Sequence, residues 1–388
     1  MRVYRILAVL CGVLFVTGNH VASGDQPPIK IGVISTYSGP LQSGKSYDAA
    51  FAAFMKEHGD TIAGRKIELI RRDDTGIAPE VARRVAQELI AQEHVDFLTG
   101  FGFTPNVMAV GPLTTQTKTP TLIANAATSN IIANAPYMAR FAFTNPQIVG
   151  ALAHWAAQHG IKTAVAVYQD YGPGIDAGTA FEKVFTSEGG KIVGDLRIPI
   201  TNVDYSSYVL RIRDAHPDAV FAMVNGNGGR PFMDAFTQAG LDKAGVKVLV
   251  SQDVVLDENL PGIGDQAIGI VSAGTYAPSH NSALNKQFVQ DYKSFDDSDP
   301  DFLSVGAYDC LAAIYKVIAA QNGQLDPDRS MELIKHMKFE SPRGPIEVDP
   351  QTRDLIENVY IRRTEKRNGR LVNVEIETIP MVRDPLEH

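Results

Sequence analysis

Apolar and polar positions along this chain keep two periods that take turns. From Ile29 onward, short β-branched runs of the kind that form buried strands are each followed by a longer segment. In those segments apolar residues recur three and four apart, the spacing of one helix face. The first strand is expected at 29–36 and the first helix at 42–58, with Ala49, Ala50, Ala53 and Phe54 on one side. A second strand at 66–70 and a second helix at 79–92 follow. The helix opens on Pro79, where a missing N–H costs nothing. Further strands are expected at 95–99, 121–124, 163–168, 191–198, 219–224, 247–251 and 267–273. Helices lie between them near 105–117, 147–159, 174–188, 204–214 and 229–240. Such alternation is the pattern of parallel sheets flanked by helices.

About ten strands exceed what one doubly wound sheet usually holds. The alternation also restarts after 141–146, a helix-free stretch ending in Pro146, so two similar α/β lobes are expected. From 282 the pattern turns to helices only, at 282–295, 302–321 and 328–338. Two strand-like runs then close the chain, 358–363 and 371–378, joined by Asn368-Gly369. Elements that arrive after two complete lobes imply that the chain crosses back to finish each.

Ahead of the first strand, Arg2 and Arg5 precede an apolar run at 6–16, followed by Val21-Ala22-Ser23. This is the pattern of a secretory signal peptide over residues 1–23. The run is about half of the ~20 residues that a membrane span needs. Cleavage there leaves Cys310 alone, so no internal disulfide is expected. The 388 residues are 44% hydrophobic and 21% charged, a globular balance, and the net charge of -8 comes without a Lys/Arg-rich run. A nucleic-acid partner is therefore not expected.

Gly39 to Ser46 fits the phosphate-loop pattern of Gly, four residues, then Gly-Lys-Ser, between a strand and a helix. Lys45 would hold phosphates, Ser46 a magnesium ion, and Asp170 on another strand end could complete the metal site. An exported protein meets little ATP, and a plain glycine-rich turn accounts for the same residues. No Gly-x-Ser-x-Gly elbow and no His or Cys metal spacing occur, so no catalytic group, cofactor or metal is expected. The strand ends carry the chemistry instead. They read Ser35-Thr36-Tyr37-Ser38, Gly100-Phe101-Gly102-Phe103-Thr104, Asn125-Ala126-Ala127-Thr128, Gln169-Asp170-Tyr171-Gly172, Asn225-Gly226-Asn227-Gly228-Gly229-Arg230 and Gln252-Asp253. Carboxyl ends of parallel strands are where α/β sheets bind ligands. Glycine there lets backbone approach a ligand, and helix N-termini offer amides to an anion.

The chain resembles the type I periplasmic solute-binding proteins of ABC importers, in their branched-chain amino-acid-binding branch, from about residue 29 to 379. The resemblance is carried by Ile29-Lys30-Ile31-Gly32-Val33, Ser38-Gly39-Pro40, Asp73-Asp74, Ala126-Ala127-Thr128, Asp170-Tyr171-Gly172-Pro173-Gly174 and Ser341-Pro342-Arg343-Gly344-Pro345. It implies two Rossmann-like lobes with parallel sheets flanked by helices, joined by three hinge crossings near Asn145, Tyr276 and Ile346. Lobe one would be 26–145 plus 277–345, and lobe two 146–276 plus 346–385. The implied ligand site in the cleft comprises Tyr37, Ser38, Phe101, Gly102, Phe103, Thr104, Asn125, Ala126, Thr128, Tyr171, Asn225, Asn227, Arg230, Gln252, Asp253 and Tyr276. Ala126, Thr128 and the stretch 101–104 would hold a carboxylate, with Arg230 assisting, and Tyr171 would line the second lobe.

Two departures from the amino-acid binders set the expected ligand. Gln252 stands where the family's ammonium-pairing glutamate belongs, with Asp253 beside it. Phe101 and Phe103 replace a run of serines; at alternate positions both face one side, into the cleft or into the core. A neutral amide does not balance a buried ammonium. The expected protein is thus a periplasmic, monomeric binder of a small aromatic carboxylic acid, of benzoate or hydroxycinnamate type, serving an inner-membrane ABC permease. The alternatives are an amino-acid binder of the same class, an exported sensor feeding a receptor, and a phosphate-loop nucleotide enzyme.

Overall fold

The computed structural model describes residues 26–386 apart from 40–41, 201, 225–227 and 258, so the expected signal peptide lies outside the described residues. The first sheet is built from β1 (Ile29–Ser35), β2 (Thr61–Ile62), β3 (Arg65–Asp73), β4 (Phe97–Gly100), β5 (Thr121–Ile123) and β6 (Met138–Arg140). Its helices are α1 (Gly44–His58), α2 (Pro79–Ala91) and α3 (Thr104–Thr117). The spatial order is β2-β3-β1-β4-β5-β6, all parallel except the β2–β3 pair. β1 and β4 are almost wholly buried, as central strands covered on both faces must be.

The second sheet repeats the plan. After α4 (Asn145–Gln158) come β7 (Thr163–Gln169), α5 (Gly172–Ser187), β8 (Lys191–Ile198), α6 (Ser206–Ala215), β9 (Ala219–Met223), α7 (Gly229–Gln238) and β10 (Lys247–Ser251). The short α8 (Leu260–Ile263) and β11 (Val271–Gly274) complete the run. Strands β8-β7-β9-β10-β11 lie in that order and in parallel. This matches β3-β1-β4-β5-β6, with the order reversing beside β1 in one sheet and beside β7 in the other. β11 starts at Val271, later than expected, because Gly264–Ala267 winds into a 3-10 turn first.

The chain then returns to the first sheet. α9 (Ala283–Tyr292), α10 (Phe302–Ala320) and α11 (Pro327–Lys335) pack there, with the ring of Phe54 edge-on to Tyr308 at 5.1 Å and Ser46 Oγ donating to Asp301. α10 is long and apolar enough to cross a membrane by length and composition, but most of its residues are buried in the core, Cys310 among them. Burial pushes the Cys310 thiol up to about 12, in keeping with a small packed hydrophobe.

The last four strands, β12 (Lys338–Ser341), β13 (Gly344–Val348), β14 (Leu355–Arg367) and β15 (Arg370–Val382), all join the second sheet, antiparallel, through β14 beside β11. Sheet membership therefore changes right after α11. The third crossing, expected near Ile346 with residues up to 345 in the first lobe, falls before Lys338 instead. Gly344, at φ +100, turns Pro342-Arg343 into a hairpin.

The crossings are tied together by buried charge. Arg343 Nη2 lies 2.7 Å from Asp309 Oδ2 on α10 and donates to the Phe141 carbonyl at 2.8 Å. Its Nη1 forms an ion pair with Glu357 on β14 at 3.0 Å without hydrogen-bond alignment. All three side chains are buried.

Candidate functional site

At the end of β4 the chain makes a turn that few residues permit. Gly100 has φ +106, and a Cβ there would lie 2.1 Å from the Ile34 carbonyl oxygen. The next amide, of Phe101, donates to that same oxygen at 2.8 Å. Phe101 takes φ +67, which breaks the strand alternation, and its ring is fully buried in the core against residues such as Ile34, Val107 and Ile123. This corrects the expectation that it faces a ligand; Phe103, the residue before α3, stays half-buried.

Thr104 opens α3, and its Oγ1 donates to Thr128 Oγ1 at 3.0 Å. Asn125 Nδ2 donates to the Gly102 carbonyl at 2.9 Å, so the ends of β4 and β5 are pinned to each other. Ala126 sits at φ +35, and the carbonyls of Ala126 and Thr128 both accept from Arg140 Nη1, at 2.8 and 2.6 Å. Arg140 is fully buried and pairs through Nε with Asp354 at 2.5 Å. Sequence reasoning missed it. The signal was a lone arginine between apolar Met138-Ala139 and Phe141-Ala142-Phe143.

The second lobe meets this group from across the cleft. Tyr171 precedes α5, and a Cβ on Gly172 would lie 3.7 Å from Thr128 Oγ1. Ser129 N donates to Asp176 Oδ2 on α5 at 3.0 Å. Gly174 repeats the device of Gly100, since its Cβ would lie 2.0 Å from the Gln169 carbonyl oxygen. No side-chain cap bonds the first turns of α1, α3, α5 and α7, the helices that follow β1, β4, β7 and β9. Side chains do cap α4, α9, α10 and α11, with Thr144, Ser282, Asp301 and Asp326. Uncapped N-termini carry partial positive charge toward the strand-end edge, although at α1 the Gly44 amide is already bonded to the Thr36 carbonyl.

At the ends of β10 and β11, Gln252 is fully buried; its Oε1 accepts from Thr275 N at 3.0 Å while its amide nitrogen has no partner. Burial pushes the Asp253 carboxyl up to about 6, against the pull of Arg362. Arg362, on β14, was not singled out in the sequence, because an arginine in a final strand reads as an exposed position. It is buried.

Other expected site residues lie elsewhere. Ser38 Oγ donates to Asp73 at 2.5 Å, and the Tyr37 ring covers Gly44 with its hydroxyl donating to Asp48 at 3.2 Å, so both brace the loop after β1. Tyr276 is buried, and its hydroxyl is taken by Asn285 Oδ1 at 2.8 Å. Arg230 is exposed on α7, with Asp234 3.7 Å away. Asn225 and Asn227 lie outside the described residues. In the phosphate-loop match, the Ser43 and Gly44 amides are spent on the Thr36 carbonyl, and Lys45 is 83% exposed in its side chain, opposite Asp296.

Known proteins share this architecture. A profile of the periplasmic binding protein family matches residues 28–370. The Leu/Ile/Val-binding protein homolog 6 of Brucella melitensis is 37% identical over 362 residues, 92% of this chain and 93% of its own. A solute-binding protein of an ABC transporter from Rhodopseudomonas palustris, solved in complex with 3,4-dihydroxybenzoic acid, is 42% identical, with a TM-score of 0.86 over 92% of this chain and 99% of that one. Another from the same species, in complex with p-hydroxybenzoic acid, is 40% identical, with a TM-score of 0.87 over 93% and 99%. Two sheets of repeated topology, with the ends of β5 and β7 meeting at Thr128, Ser129 and α5, fit these relatives. The chain belongs to the periplasmic binding proteins, as the solute-binding component of an ABC transporter and not an enzyme.

Proposed function

We propose that the protein captures a small aromatic carboxylic acid between its two lobes and presents it to an inner-membrane ABC permease. The observation that carries this reading is the state of Gln252. Its oxygen is already bonded to Thr275 N, which leaves only an N–H donor for a ligand. An amino acid would bring an ammonium into a pocket that offers it a donor and the nearby Arg362 cation. The acids around Arg362 are Asp257, Glu375 and Asp253, and burial disfavours the charge on Asp253 and on Asp257. An aromatic acid brings an anion and an apolar ring. Thr104, Thr128 and the uncapped starts of α3 and α5 supply donors for the anion, and half-buried Phe103 supplies wall for the ring. The benzoate ligands of the two Rhodopseudomonas relatives support the same reading.

A thermal-shift panel tests it. Benzoates and hydroxycinnamates should raise the melting temperature by mass action, and leucine, isoleucine and valine should not at equal concentration. Stabilisation by leucine with no response to any aromatic acid would overturn the reading and make Asp253 the ammonium's partner, as the name of the Brucella relative suggests.

A further inference from the structure

We infer that Arg362, Gln252 and Asp253 form a polar pocket in the second lobe that receives a hydroxyl group on the ligand's ring, so that the protein selects hydroxylated over bare aromatic acids. This rests on the aromatic-acid reading above.

Arg362 faces Ser272 across the β11–β14 pair and is 4% exposed. One of its nitrogens, Nη1, donates to the Tyr276 carbonyl at 2.8 Å. Nε and Nη2 have no partner, and among the described residues no carboxylate comes within 4.0 Å of the guanidinium. The Gln252 Nε2 donor and the Asp253 Oδ1 acceptor are likewise buried and unpaired. Arg362 and Gln252 converge on one spot. A Cβ on Gly274 would lie 2.4 Å from Gln252 Oε1 and 2.8 Å from Arg362 Nη2, so only glycine at the end of β11 leaves room for both. That spot is at the carboxyl ends of β10 and β11, the edge at which this fold takes its ligand.

Buried donors and acceptors without partners are costly, and a cluster of them at a ligand edge marks the groups a ligand completes. The set decides which group. A carboxylate would satisfy Arg362 and Gln252 but set like charge against Asp253. An ammonium would satisfy Asp253 and be repelled by Arg362. A hydroxyl accepts from Arg362 or Gln252 and donates to Asp253, with no charge in conflict. A bare ring leaves all three unpaired, and sites built to bond a hydroxyl reject analogues that lack it.

Calorimetric titration with benzoate and 4-hydroxybenzoate tests this on the mature chain. The native protein should bind 4-hydroxybenzoate at least tenfold more tightly. Asp253→Ala, at a half-buried position, should cut that preference severalfold, and Arg362→Met should abolish it. If Arg362→Met does not fold, Asp253→Ala decides alone. Equal native affinity for the two acids, or variants that weaken both by the same factor, would overturn the pocket while leaving the aromatic-acid reading intact. Binding of neither acid would overturn the pocket, and the thermal-shift panel with hydroxycinnamates then decides the aromatic-acid reading.

Discussion

Thr128 is where the two halves of the site come together, bonded to Thr104 in its own lobe and facing Gly172 of the other. A hydroxyl that donates to a carboxylate contributes roughly 1.5–3 kcal/mol, about tenfold or more in affinity. Thr128→Val should therefore weaken calorimetric binding of an aromatic acid by at least tenfold; unchanged affinity would remove Thr128 from the site. The gathering of Thr104, Asn125 and Thr128 at the strand ends was legible in the sequence, because small polar residues mark such turns. Phe101 was not, because its direction is set by a left-handed φ that the Gly100 turn imposes, and alternation says nothing about such a residue. Arg140 and Arg362 were illegible for another reason. What buries them is an acceptor or a glycine far along the chain, Asp354 for the first and Gly274 for the second.

At the scale of elements, strands and helices with a clean period were read to within a few residues. β2, β6, β12 and β13 were missed, being strands of five residues or fewer, and β14 and β15 run longer than their apolar stretches because long-range pairing extends them. Pairing of β12 and β13 with β14 also brings Arg343 between Asp309 and Glu357. One cation then serves two buried acids. Burial, with the repulsion of Asp309 added and the attraction of Arg343 opposing, raises Glu357 from its ordinary 4.5 to about 7. The sign follows from linkage: the folded protein holds a proton there that the unfolded chain has already released, so this stabilisation is present below pH 4.5 and is lost as pH rises through 7. Melting temperature should fall by a few degrees between pH 5 and 8 in the native protein, and Glu357→Gln should flatten that slope. A slope unchanged by the substitution would show that Glu357 does not titrate in that range.

Across the whole molecule, two lobes were legible from the restart of alternation, and the three crossings from the family resemblance, with only the last displaced. Neither sheet, taken with the helices and strands that complete its layers, is a continuous stretch of chain. The first is completed by α9, α10 and α11, and the second by four strands from the last fifty residues. Contacts that close them span long separations, Ser46 with Asp301 and Arg140 with Asp354. Closing such loops costs entropy before any contact repays it, so native-like intermediates of one lobe alone are disfavoured and folding is slow. In equilibrium denaturation, the fluorescence of Trp155 on α4 and the far-ultraviolet ellipticity of the whole chain should follow one coincident transition. Two separated transitions would mean that the lobes fold as independent units. The interlacing also orders assembly in time: during synthesis from the N-terminus, the first six strands are made long before α10 exists to cover them, and the second sheet waits longer still, for the four strands that follow α11.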